Sequence, residues 1–350
     1  MDTVDASIEP MLAKAVTGVP ATAPGGGGLL YEPKWDGFRG VVAFDGERIE
    51  IGSRGGKRLT RYFPELERGL AAALPGPCVL DGEVVVPSGE PGAQRLDWEA
   101  LSQRIHPAAT RIAKLSEETP ARFVAFDLLA QDGESLLDIP FGERRRRLEA
   151  LLPAPLDPLS ITRVTDDPAT AERWLAEFEG AGLDGVVAKP VDAPYSPGKR
   201  TMLKVKHHRT ADVVVTGYRV HASGHGVGSL LVSLHDADGV LRQIGGISAF
   251  TQKVRDELVD ELDPIAERDE HGEPLRGRSD RNRFSSNKDT SYVLLRPERV
   301  VEVRYDQMEG DRFRHTVQFE RWRPDRDPRS CTFDQLEVVH AYDLGAVLLS

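Results

Sequence analysis

The chain has 350 residues, 40% of them apolar and 29% charged, which is the profile of an ordinary globular protein long enough for two domains. Two cysteines, Cys78 and Cys331, exclude a disulfide framework and a four-thiolate zinc site and point to a reducing interior. The formal charge of −11 excludes a uniformly basic nucleic-acid binder: residues 1–207 carry 25 basic and 31 acidic side chains, and residues 208–350 carry 20 and 25. Contacts to phosphate must therefore come from local clusters, of which "SRGGKRLTR" at 53–61 and "RFRH…ERWRPDR" at 312–326 qualify. The N-terminal "MDTVDASIEPMLAK" is acidic and only mildly apolar, unlike a secretory signal. No apolar run reaches the ~18 residues of a membrane span, so a cytoplasmic chain without a membrane partner is expected.

In chain order, "APGGGG" at 23–28 reads as a flexible lead-in and "LLYEPK" as the first strand. "RGVVAFDGERIEIGSR" is a hairpin turning at Asp45-Gly46. "RYFPELERGLAAAL" has helical periodicity, "PCVLDGEVVV" reads as a strand, and "DWEALSQRI" as a helix capped by Asp97. "ARFVAFDLLAQDGESL" is a second hairpin; "FGERRRRLEALL" and "PATAERWLAEFEGAG" are helices, the latter ending near Gly182. The arginine run at 144–147 is read as a solvated helix face or a partner site. "GVVAKP" and "TMLKVK" are strands separated by the loop "PYSPGKR". Beyond "HHRTAD" the texture changes to short strands with one helix, "TQKVRDELVDEL", the pattern of a small OB-type barrel. The boundary is expected near 207–210.

Charged residues two apart on strand-like segments recur through the first domain: Glu32 and Lys34, Asp81 and Glu83, Lys204 and Lys206, with Asp184 and Lys189 in "DGVVAK". Alternation sends each pair to one face, beside an apolar run that must be buried. One such pair is ordinary solubilising charge at a strand end. All of them together favour a polar cleft floored by a sheet, suited to a nucleoside triphosphate and its metal.

"KWDGFR" at 34–39 resembles the Lys-x-Asp-Gly-x-Arg signature of covalent nucleotidyltransferases: ATP-dependent DNA ligases, RNA ligases and mRNA capping enzymes. The resemblance continues in order through "SRGG" at 53–56, "DGEVV" at 81–85, "FDLL" at 126–129, "DGVVAK" at 184–189, "LKVK" at 203–206 and "RWRPDR" at 321–326. The compact chain looks most like the small bacterial ATP-dependent DNA ligases of the ligase C type. The resemblance implies an α+β fold: an adenylyltransferase domain of antiparallel sheets with flanking helices at 1–208, then an all-β OB-fold domain at 209–350.

It also implies roles. Lys34 is the nucleophile that takes AMP from ATP; a lysine at its reference pKa of ~10.4 is neutral in only about one molecule in 2,500 at pH 7, a deficit of roughly 4.6 kcal/mol. Cations and a bound metal are expected to unmask the amine. Glu32 lies at the adenine amino edge, Phe126 stacks on the base and Val186 or Val187 covers its other face. Arg39 and Glu83 reach the ribose; Lys189, Lys204 and Lys206 bind the α-phosphate. Arg54 grips the 5′-phosphate at a nick and Asp36 organises the later steps. Arg323, with Asp325 and Arg326, orients pyrophosphate. Glu83 and Asp184 serve Mg²⁺ or Mn²⁺.

Two departures stand out: Asp184 occupies a place usually held by Glu, and Arg326 one usually held by Lys. The segments 86–96 and 263–290 match no motif; the latter reads as surface or as a loop that orders on DNA. The expected activity is sealing of nicked duplex DNA in repair, by a monomer acting at the nucleoid, with a Ku-like end-binding partner as a family-level expectation. The alternatives are a capping-type guanylyltransferase or RNA ligase and, from another class, a non-catalytic OB-fold binding module.

Overall fold

The computed structural model describes residues 5–154, 156–278, 290–336 and 339–348. It is α+β and divides into two compact units, residues 1–206 with 339–350, and residues 207–338. The last twelve residues, expected with the second domain, therefore belong to the first.

Two large sheets build the first unit, beside a two-stranded ribbon of Pro87–Ser88 and Arg95–Leu96. One has four strands in the order Leu12–Ala15, Arg200–Val205, Val186–Pro190, Leu29–Pro33. The other runs Leu159–Ile161, Arg122–Gln131, Cys78–Val85, Phe38–Phe44, Ile49–Ser53, with Glu134–Ser135 paired to Arg122–Gln131. Pairing is antiparallel except where Leu12–Ala15 meets Arg200–Val205 and Leu159–Ile161 meets Arg122–Gln131. Both hairpins read from the sequence are present. Asp97 caps Trp98–Gln103 by accepting from Ala100 N at 2.8 Å, and Gly182 ends its helix in the left-handed region at φ 89°. Elements without a signal in the sequence reading include the strands Leu12–Ala15 and Leu159–Ile161 and the helices Ala109–Glu118 and Leu344–Leu348.

The arrangement of cores explains the cleft. Val41, Val79 and Leu129 from the six-stranded sheet pack with Met11, Tyr195 and Met202, so the two sheets face each other across apolar residues. Along the same strand faces the side chains turn polar: Val41 gives way to Arg39, Val79 to Asp81 and Glu83, and Met202 to Lys204. A sheet pair closed by hydrophobic burial at one end is thus held open by charge at the other.

The arginine run is divided: Arg146 is solvated, as on the helix face read from the sequence, whereas Arg144 and Arg145 turn inward. Arg144 is fully buried and forks onto Asp127, with Nε–Oδ1 and Nη2–Oδ2 both 2.8 Å. Arg145 is also buried. Burial of paired arginines is what lets the helix Phe141–Leu151 lie on the sheet, and helical periodicity alone does not reveal it.

The second unit is built on a sheet in the order Leu241–Ile247, Val227–His235, Arg209–Val220, Ser291–Tyr305, Arg276–Arg278, with Gln318–Trp322 on Ser291–Tyr305. A bridge between Ile247 and Val317 joins the far end, and Gln252–Leu262 is its one long helix among the described residues. This is the OB-type β domain expected. Of the segment 263–290, residues 279–289 lie outside those described. Among the described residues no helix is long and apolar enough to cross a membrane.

Candidate active site

Lys34 follows the strand Leu29–Pro33 and is fixed by its own backbone: its N–H donates to Gly185 O at 2.8 Å and its carbonyl accepts from Asp184 N at 2.9 Å. Gly185 sits at φ +117°, and a Cβ there would lie 2.0 Å from Val205 O. Gly37 is equally constrained, since a Cβ would lie 2.1 Å from Val84 O. The two glycines of "KWDG" and "DGVV" let three strands close around the lysine.

The cavity beside it measures about 220 Å³. Nine residues named from the sequence line it: Glu32, Lys34, Arg39, Arg54, Glu83, Phe126, Val187, Lys189 and Lys204. Strand register supplies the grouping, because Lys204 pairs with Val187 and Val187 with Glu32, while Arg39 pairs with Glu83. Phe126 owes its position to a bulge: Asp81 faces Asp127 and Gly82 faces Ala125, leaving Phe126 as the extra residue. Its ring lies 4.4 Å from the Arg39 guanidinium carbon and 4.7 Å from Lys189 Nζ. Phe126 is therefore both a buried aromatic and part of the cavity wall.

The lysines fall into two groups, one on Asp184 and one beside Glu32. Lys34 Nζ and Lys206 Nζ share one oxygen, Asp184 Oδ2, at 2.6 and 2.8 Å. Burial works to raise the Asp184 pKa, but the two ammoniums outweigh it and hold the carboxylate below its usual range. Lys204 is lowered from the ordinary lysine range by burial and by Lys34 and Lys206. Lys189 lies deep in the cavity wall beside Glu32, with Nζ 2.8 Å from Oε2. Glu32 is raised by burial against the pull of Lys189 and Arg145.

Arg39 is held rather than free. It forks onto Asp81 with both contacts at 2.6 Å, and Tyr195 donates to Asp81 Oδ2 at 2.7 Å while accepting from Met11 N at 3.0 Å. Glu83 accepts from Gly37 N at 3.3 Å; burial pushes its pKa up to about 7, with Arg39 and Lys34 pulling the other way. Asp36 is half-buried in the turn and adds to that rise. Arg323 lies in the second unit, where it binds Asp212 at 3.0 Å and Asp325 at 2.8 Å.

Sequence reasoning missed Pro10–Ala13, Pro33, Trp35 and Met202 as lining residues and Tyr195 as a support. Tyr195 in an otherwise polar loop was the one available signal.

The description "ATP dependent DNA ligase domain" matches residues 10–206, and "ATP dependent DNA ligase C terminal region" matches residues 223–326. The chain belongs to the ATP-dependent DNA ligases. This ligase is 54% identical to DNA ligase C1 of Mycolicibacterium smegmatis, covering 99% of this chain and 98% of that protein. It is 50% identical to DNA ligase C of Mycobacterium tuberculosis, covering 94% of each. A solved Lig E DNA ligase, described as binding DNA with a minimal scaffold, shares the fold at a TM-score of 0.55 and 19% identity, covering 91% of this chain and all of that one.

Proposed function

We propose that this ligase seals 5′-phosphate/3′-hydroxyl nicks in duplex DNA through a lysyl-AMP formed on Lys34. The observation that carries the reading is the single cavity in which Lys34 meets Glu32, Phe126 and Val187 on strands that also present Lys204, Arg39 and Glu83. A purine fits between Phe126 and Val187 with its amino edge at Glu32, and the ribose fits toward Arg39 and Glu83. Lys204 and Lys206 meet the α-phosphate.

In the first step a Lys34 Nζ–phosphorus bond forms as the bond to pyrophosphate breaks, and the ammonium must shed its proton first. Asp184 orients the amine; its depressed pKa makes it a poor proton store. Lys206, on the same oxygen, keeps Asp184 compensated when Lys34 turns to phosphorus. The AMP then passes to the 5′-phosphate, gripped by Arg54 with Asp36 nearby, and the 3′-hydroxyl attacks that phosphorus, releasing AMP. Arg323 orients pyrophosphate in the first step.

Among the described residues no three His, Cys, Asp or Glu side chains gather to hold a metal. Glu83 lines the cavity and would hold Mg²⁺ or Mn²⁺ of the kind bound chiefly by phosphate oxygens and water; Asp184 would contribute only through a water. Such an ion, when bound, neutralises charge on the phosphates.

Intact-mass measurement after incubation with ATP tests this reading. The wild type should gain about 329 Da as AMP on lysine, and Lys34→Ala should gain nothing while keeping its fold. An adduct formed with GTP alone, or ligation retained in Lys34→Ala, overturns it. Under the same reading the ligase works as a monomer at the nucleoid in repair, beside a Ku-type end-binding protein; light scattering and co-purification test those parts.

A further inference from the structure

Behind Glu32, outside the cavity wall, lies Arg145. Its Nε binds Glu149 Oε1 at 2.7 Å and its Nη2 donates to Thr162 O at 2.8 Å, so the guanidinium plane is fixed at two corners. The third corner, Nη1, has no hydrogen bond and lies 4.0 Å from Glu32 Oε1, which also has none. Glu32 Oε2 is already taken by Lys189. Glu32 lines the cavity, and a buried carboxylate oxygen without a hydrogen bond is a rare exception that calls for a partner. Thr162 also accepts from Trp35 Nε1 at 2.8 Å, so the Arg145 network braces residues 32 and 35, on both sides of Lys34.

We infer that Arg145 is a positioning residue for base selection: it holds Glu32 as an ionised acceptor, so the site takes a 6-amino purine and refuses a 6-oxo purine. The inference rests on the cavity being the ATP site. An ionised carboxylate has acceptors only, matching the 6-amino group of adenine; a protonated one carries a donor that a 6-oxo group can use. Burial favours the protonated form. The groups opposing it are Lys189 and Arg145, while the nearby Asp127 pushes the same way as burial. Removing Arg145 takes away one of the two cations that keep Glu32 charged.

The test compares self-adenylylation with ATP, with inosine triphosphate and with purine riboside triphosphate, which lacks the 6-amino group. In Arg145→Met, kcat/KM for ATP should fall about tenfold to a hundredfold, that for purine riboside triphosphate should change less than about threefold, and inosine triphosphate should gain on ATP. Arg145→Lys should restore the ATP preference. Equal losses with all three nucleotides assign Arg145 a merely structural role and overturn the inference. The double variant Arg145→Met/Glu32→Gln removes both members of the pair and serves if Arg145→Met does not fold. It should match Glu32→Gln alone, and a further loss of ATP preference overturns the inference. A wild type that labels with ATP but does not prefer it over purine riboside triphosphate sinks the inference alone; no labelling with ATP sinks the proposed function.

Discussion

Asp81 contributes no atom to the cavity wall, yet Arg39 and Tyr195 both end on it. Removing its charge leaves the Arg39 guanidinium, whose side chain is only 20% exposed, without its counter-ion. Asp81→Asn should therefore cost about 3–5 kcal/mol in a thermal or urea melt, whereas Tyr195→Phe, which deletes one hydrogen bond, should cost about 1 kcal/mol. Cys78 offers a second residue-scale check. Burial, with Asp132 adding to it, pushes its thiol up to about 12. The folded pKa is thus above the unfolded thiol's ~8.5, so the stabilisation is complete below that pH and is lost as pH rises toward the folded value. Between pH 8 and 10 the wild type should lose about 2 kcal/mol more than Cys78→Ala in urea unfolding.

At the scale of elements, the site depends on backbones that approach too closely for any side chain. Gly185→Ala combines a left-handed φ with a 2.0 Å clash against Val205 O, and should cost at least about 2–3 kcal/mol and displace Lys34. Gly55→Ala, with nothing within 4 Å, should stay within about 0.5 kcal/mol in the same melt and form the adduct normally. The elements legible in the sequence were those with a period or a turn: the Asp45-Gly46 hairpin, the Asp97 cap, and strands whose charges fall two apart. Leu12–Ala15 was not, because "LAKA" is too short for alternation to register. Arg144 and Arg145 were not either, since a helix face covered by paired arginines has the same residue pattern as a solvated one. The lining residues were readable wherever a charge interrupted a buried strand, whereas Met11 and Met202 look like plain core.

In the whole molecule the chain leaves the first unit at Lys206 and returns to it at Val339. The returning segment is anchored by Leu344 N donating to Gln94 O at 2.8 Å, by Asp343 Oδ1 accepting from Gln94 N at 2.9 Å, and by Arg163 donating to Val347 O at 3.0 Å. Leu344, Val347 and Leu348 are buried in one cluster with Phe178, Leu183 and Trp35, the residue after the nucleophile. Each such side chain is worth roughly 1.5–3 kcal/mol when fully buried. Deleting residues 339–350 should therefore lower the melting temperature and slow adduct formation with ATP, while a deletion that unfolds neither unit nor alters labelling would show the anchor to be dispensable.

Because the β domain is spliced into its host at two seams, it is an insert rather than an appendage. A chimera that exchanges it with another ligase's must match both joints, at 206/207 and 338/339. Expressing residues 1–206 alone would leave Phe178 and Leu96 bare where a short C-terminal helix belongs, and a fragment meant to stand alone should carry that helix on a linker.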